Sequence, residues 1–209
     1  MKSLYNKVAG QSLERIAALS DGVFAVAMTL IVLEIHVPSR TAVHTERELA
    51  EALLALAPEI VTYLMSFLTL GIFWVGQQTQ LNHLERADRN FAWIHIAFLA
   101  TIAVLPFSTS LLATFISYRL ALILYWANIL VLGLALLWSW RYAVRAGLLK
   151  NDAPANIDRA VKGRIVVAQI LYATGAALCF INTYWSIGFI VLVQLNYAVA
   201  PRLPLVKLG

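Results

Sequence analysis

An all-α integral membrane protein with six transmembrane helices is the fold class this sequence predicts, on three observations. Of its 209 residues, 61% are hydrophobic and 13% are charged, against about a quarter charged in an ordinary soluble domain. The apolar residues gather into six segments, most of them long enough for a helix to cross a bilayer. Of the 16 Lys and Arg residues, 13 fall on one side of these segments and three, Arg40, Arg47 and Arg119, on the other. That asymmetry places both termini in the cytoplasm, and only an even number of spans allows it. Topology thus accounts for the formal charge of +5, which does not point to nucleic acid.

The first segment, 13–37, organises the rest. It is too long for a signal peptide, and Glu14, Asp21 and Glu34 interrupt it, so it is expected to stay as a span. On a helix at about 100° per residue, Leu19, Gly22, Val23, Val26, Leu30, Leu33 and Val37 fall within roughly 60° of one line, with Thr29 at the edge. Asp21 falls about 140° away, among Phe24, Met28, Ile31 and Ile35. One face is smooth and aliphatic, the other bulky with an acid near its start. The ordinary use of such a stripe is packing or lipid contact, with the acid turned to the bundle; the sharper alternative is a pore lining, with the acid anchoring the helix to its own subunit.

Pro38-Ser39-Arg40 stops this segment. Thr45-Glu46-Arg47-Glu48 has the form of a capping box, so a second helix is expected to start near Glu46 and run to Leu81, about 50 Å. Its stretch before Pro58 should lie at or above the membrane surface, with a kink at the proline. The third segment, 91–115, holds Pro106, which is expected to bend or end the helix. The fourth covers 120–144 and the fifth 165–181. Asn182-Thr183 turns the chain into a short sixth, 185–200, ended by Pro201 and Pro204. No repeat or composition break divides residues 1–209, so a single domain is expected. The lone cysteine, Cys179, excludes an intrachain disulfide and is expected to be a buried thiol.

Charges at membrane depth cost a few kcal/mol each, so they usually have partners. Arg15, Ser20 and Asp21 form the first such group. Arg15 can snorkel to the interface, whereas Asp21 lies about two turns into the helix. It reads as a proton-relay carboxylate or as a structural acid held by donors on other helices. Trp74, Gln77 and Gln78 offer N–H donors at about that depth, and Asp88 and Leu105-Pro106-Phe107 follow. Glu34, near the outer end of the first span, reads as a solvated acid or as a cation-attracting mouth. Asn128, Gln169, Gln194 and Asn196 are expected to bond between helices. His36, His44, His83 and His95 have no ligand-pair spacing, and no nucleophile triad or phosphate loop is present. Enzyme activity, a metal and a cofactor are therefore not expected. The open classes are a channel, a proton-coupled secondary transporter using Asp21, and a non-conducting scaffold. The transporter is disfavoured because no inverted repeat is visible.

Arg15-x-x-x-Leu19-Ser20-Asp21, followed by Gly22-Val23-Phe24-Ala25 and a Thr-Leu-Ile-Val-Leu-Glu-Ile tail, resembles the Arg-x-x-x-Phe-Ser-Asp signature of the bacterial potassium channels related to lysosomal transmembrane protein 175. Trp74, Asp88 and Leu105-Pro106-Phe107 resemble that family's second and third helices, so the likeness covers about residues 12–110. It implies a passive, potassium-selective or potassium-preferring channel in the cell inner membrane, a homotetramer with the first helix around a central pore. It further implies hydrophobic rings at Val26, then Thr29 or Leu30, then Leu33, and signature residues that face away from the pore and tie the first helix to the second and third. Three positions depart from the pattern. Leu19 replaces phenylalanine, Gln77 and Gln78 stand where histidine is common, and Val26 is smaller than the isoleucine often found at the narrowest ring.

Overall fold

The computed structural model describes residues 10, 12–41 and 43–199. Lys2, Lys7, Pro201, Arg202, Pro204 and Lys207, used above for topology and helix ending, lie outside the described residues. The described chain is helical throughout: α1 (Leu13–Leu30), α2 (Glu46–Ala55), α3 (Ala57–Asn82), α4 (Arg89–Thr114), α5 (Arg119–Arg145), α6 (Ile157–Ala177) and α7 (Thr183–Val199). Short 3-10 turns at Ile31–Glu34 and Leu178–Phe180 extend α1 and α6. Five of these units are long and apolar enough to cross a membrane: α1, α3, α4, α5 and α6. The described part of α7 has 17 residues.

The capping box forms, with Glu48 N–H donating to Thr45 Oγ1 and the Glu48 carboxylate accepting from Thr45 N–H. The expected long second helix is two helices. The chain breaks at Leu56, and Pro58 sits in the first turn of α3, where its missing N–H costs no helical bond. None of α2 is buried, so it stands off the bundle. Of the two outcomes expected at Pro106, an end to the helix does not occur, because α4 runs through it to Thr114. Neighbouring helices support such an interruption inside a membrane bundle, and Ile102, Leu105 and Thr109 around the proline are buried. The expected fifth span starts eight residues earlier than its apolar stretch. Asp158 anchors that polar first turn, accepting from Trp140 Nε1 at 3.0 Å and Lys162 Nζ at 2.7 Å.

The main core joins Phe24, Ala27 and Ile31 of α1 to Met65 and Leu70 of α3, Phe98 and Ile102 of α4, and Tyr125 and Ile129 of α5. A second cluster at the other end packs Leu81, Leu84, Ala87, Phe91, Ala143 and Leu148. There the two loops pair, Glu85 N–H on Leu148 O at 2.9 Å and Lys150 N–H on His83 O at 3.0 Å. A neutral polar network crosses the core. Gln194 donates to Thr69 at 2.7 Å, Thr69 and Ser66 meet the Tyr125 hydroxyl at 3.1 and 3.3 Å, and Thr109 donates to Ser66 at 2.7 Å. It links α7, α3, α5 and α4 and satisfies groups that would be costly to bury alone. Asn128 also bonds between helices, to Ser108 at 3.2 Å, and Cys179 is a buried free thiol. This frame holds α3 and α4 rigidly, and α1 lies against both.

Candidate functional site

α1 begins with Ser12 accepting from Arg15 N–H at 3.3 Å. Its helical period then sorts its side chains into two faces. Ser20, Phe24, Ala27 and Ile31 are buried against the bundle. Leu19, Val26, Leu30 and Leu33 are exposed at 52%, 56%, 45% and 69%, while Phe24 is at 1% and Ile31 at 0%. Thr29 lies on the exposed side, its hydroxyl turned back onto Ala25 O and Val26 O at 3.0 and 2.9 Å. That self-bonding leaves the exposed stripe without a free donor. Of the five candidate spans α1 is the least buried, 22% against 50% for α4, so most of its surface has no partner within the chain.

Two consecutive residues tie α1 down. Asp21 Oδ1 accepts from Trp74 Nε1 at 2.8 Å and from Gln78 Nε2 at 3.1 Å, both on α3. Ser20, fully buried, lies 2.9 Å from His95 Nε2 on α4 and 2.7 Å from Ile16 O. Gln77 Nε2 lies 3.1 Å from the same imidazole nitrogen. His95 is sandwiched between Phe91 and Phe98, with ring centroids at 5.7 and 5.6 Å. Charged bonds from Asp21 to α3 and neutral bonds from Ser20 to α4 therefore sit back to back. Asp21 is exposed in the single chain, a carboxylate at membrane depth that needs cover.

Three expectations change. Arg15 is exposed and makes no ion pair among the described residues, so the donors to Asp21 come from α3 alone. Its long side chain at the first turn reaches the interface more cheaply than it could reach Asp21, six residues on. Leu19 does not face away as the likeness implies but lies on the exposed stripe, where its 100° steps place it. Asp88 is remote from Asp21. It caps α4, accepting from Phe91 N–H at 2.8 Å, and receives the Tyr142 hydroxyl of α5 at 2.7 Å.

His95 and Tyr142 are the site residues that carry no motif. His95 lies about 9 Å along α4 from its start at Arg89, close to the distance of Ser20 from the start of α1. That match is the one signal by which it could be found. At the other end of α1, Glu59 of α3 accepts from His36 N–H at 2.9 Å, and Glu34 is half-buried.

Comparison with known proteins places the chain among ion-channel proteins of the membrane. The family model described as endosomal/lysosomal potassium channel TMEM175 matches residues 15–106. A potassium channel of Chamaesiphon minutus is 32% identical over 188 residues, covering 88% of this chain and 92% of its own length. The crystal structure of a lysosomal potassium-selective channel TMEM175 homolog from Chamaesiphon minutus superposes with a TM-score of 0.76 at 29% identity, covering 89% of this chain and 96% of that one. The human endosomal/lysosomal proton channel TMEM175 is 26% identical over 199 residues, 94% of this chain but 38% of that protein. The chain belongs to the TMEM175 family.

Proposed function

We propose that the chain is a passive potassium channel whose pore is enclosed by α1 from four subunits. The observation that carries the pore is the uncovered stripe of α1, with Val26, Leu30 and Leu33 exposed on the least buried span. One such stripe cannot enclose water, so the mechanism requires several copies. Four-fold symmetry is drawn from the family likeness. Residues 1–209 act as one six-span domain, α7 being the sixth span. Both termini lie in the cytoplasm of a bacterial cell with the channel in its plasma membrane, which the loop charges support.

Val26 forms the main ring, with Thr29 or Leu30 and then Leu33 on the outer side. Such rings offer no carbonyl oxygen or charge to replace hydration water, so conduction depends on radius and wetting. Potassium holds its water less tightly than sodium and crosses at lower cost. The signature residues work one layer back. Trp74 and Gln78 hold Asp21, Gln77 and His95 hold Ser20, and α1 is kept at the angle that presents the stripe to the axis.

Reconstituted protein tests this directly. Potassium flux into proteoliposomes should run down its own gradient without a proton gradient, with potassium ahead of sodium. Flux that requires a proton gradient and disappears in Asp21→Asn with the oligomer intact would replace the channel with a proton-coupled transporter.

A further inference from the structure

Away from α1, a cavity opens between α3, α5, α6 and α7. Its polar lining is Thr79, Gln80, Arg164, Gln169, Tyr172 and Tyr197. Tyr172, Tyr197 and Gln169 line it, and their Tyr172 Oη, Tyr197 Oη and Gln169 Oε1 atoms are buried without a hydrogen-bond partner among the described residues. Leaving such groups unmatched costs on the order of 1–3 kcal/mol each; the two phenols can donate to a ligand, whereas the Gln169 carbonyl can only accept. Arg164 stands at its exposed edge, its guanidinium 5.5 Å from the centre of the Tyr197 ring. That stacking fixes the direction of the arginine fork. No Asp or Glu borders the cavity, and the nearest acid in sequence on α6, Asp158, is matched to Lys162. The remaining wall is apolar, with Phe73 and Ile165.

A cationic fork and two phenol donors facing one space select an anion with several acceptor oxygens. The apolar wall selects one with an apolar body, and Arg164 stands near the start of α6, a turn or so from Arg159 and Lys162. We propose that this cavity binds a phosphate group, held between Arg164 and the hydroxyls of Tyr172 and Tyr197. An anionic phospholipid and free phosphate present the same chemistry.

The full-length chain in detergent, offered phosphatidylglycerol and phosphatidylcholine together, should retain the former about tenfold better by native mass spectrometry. Arg164→Gln should abolish that preference. Tyr172→Phe and Tyr197→Phe, which keep the rings, should each reduce it about threefold. Arg159→Gln, exposed on the same helix but off the cavity, should leave it unchanged. Phosphorus-31 line broadening with inorganic phosphate alone, lost in Arg164→Gln, would identify free phosphate as the occupant. Retained phosphatidylglycerol that phosphate does not displace identifies the lipid. Equal retention of the two lipids with no phosphate broadening overturns the proposal. So does an Arg159→Gln loss equal to that of Arg164→Gln, which would mean diffuse surface charge. Should Arg164→Gln fail to fold, the tyrosine pair decides, and unchanged retention in Tyr172→Phe/Tyr197→Phe overturns it.

Discussion

The two faces of α1 have similar hydrophobicity and opposite circumstances. Phe24, Ala27 and Ile31 are packed to near-zero exposure, and Ser20 beside them is bonded to another helix. Val26, Leu30 and Leu33, one or two steps away on the same helix, are exposed at 56%, 45% and 69%. The difference is not composition but partnership. The inner face is satisfied within one chain, so substitutions there should be read as folding. The outer face is satisfied only by something else, so substitutions there should be read in assembly and flux.

The sharpest way to break this contrast is to change both faces alike. Phe24→Ala removes a ring packed at 6.2 Å from Phe98 and should cost about 3–5 kcal/mol of stability, seen as loss of folded protein in detergent. Val26→Asn should leave the chain folded and instead hydrate the ring, raising basal cation flux and eroding potassium selectivity. Val26→Phe should plug the ring. If Val26→Asn changes neither flux nor selectivity in an intact oligomer, the stripe is not the pore and α1 must be rotated.

Next in size is the tie itself. Asp21→Asn keeps one acceptor oxygen for Trp74 but loses the charge that strengthens both N–H bonds, a cost of about 1–3 kcal/mol. The oligomer should dissociate at lower temperature on size-exclusion chromatography, with potassium selectivity unchanged in whatever remains assembled. His95→Phe sharpens the comparison from the neutral side. It fills the aromatic sandwich with Phe91 and Phe98 but strands the Gln77 amide and leaves Ser20 bonded only within α1, so destabilisation by about 1–3 kcal/mol is expected. A His95→Phe variant as stable as the parent would mean that packing alone seats α1.

Much of this was legible in the sequence because helical period and loop charge are local quantities. The two faces of α1 follow from 100° steps, and the common depth of Asp21, Trp74 and Gln78 follows from span order. What was not legible depended on choices between partners. Arg15 and Asp21 share a signature, yet solvent or lipid head groups offer Arg15 a cheaper partner than Asp21 does. His95 sits in an apolar run with no spacing motif, and its role emerges only when α4 is laid against α1. The start of α6 was hidden because Asp158, Lys162 and Arg164 read as a loop, although Asp158 there is matched to Trp140 and Lys162. Pro106 breaks a helix in water, but α4 has neighbours on several sides that support it.

The smallest expected effect lies at the outer end of α1, where neither face applies. Glu34 ends the 3-10 turn after the stripe and is half-buried, with no hydrogen bond among the described residues. Glu59 nearby is occupied by His36. A charge at the mouth of a pore raises the local cation concentration, but at physiological salt its field is screened over about 8 Å. Glu34→Gln should therefore lower potassium conductance modestly at low salt and hardly at all at high salt, with selectivity and oligomer stability untouched. Single-channel recording across a salt series checks this. A salt-independent block would make Glu34 a direct ion ligand, and the polar outer end of α1, rather than its aliphatic stripe, would then set the rate.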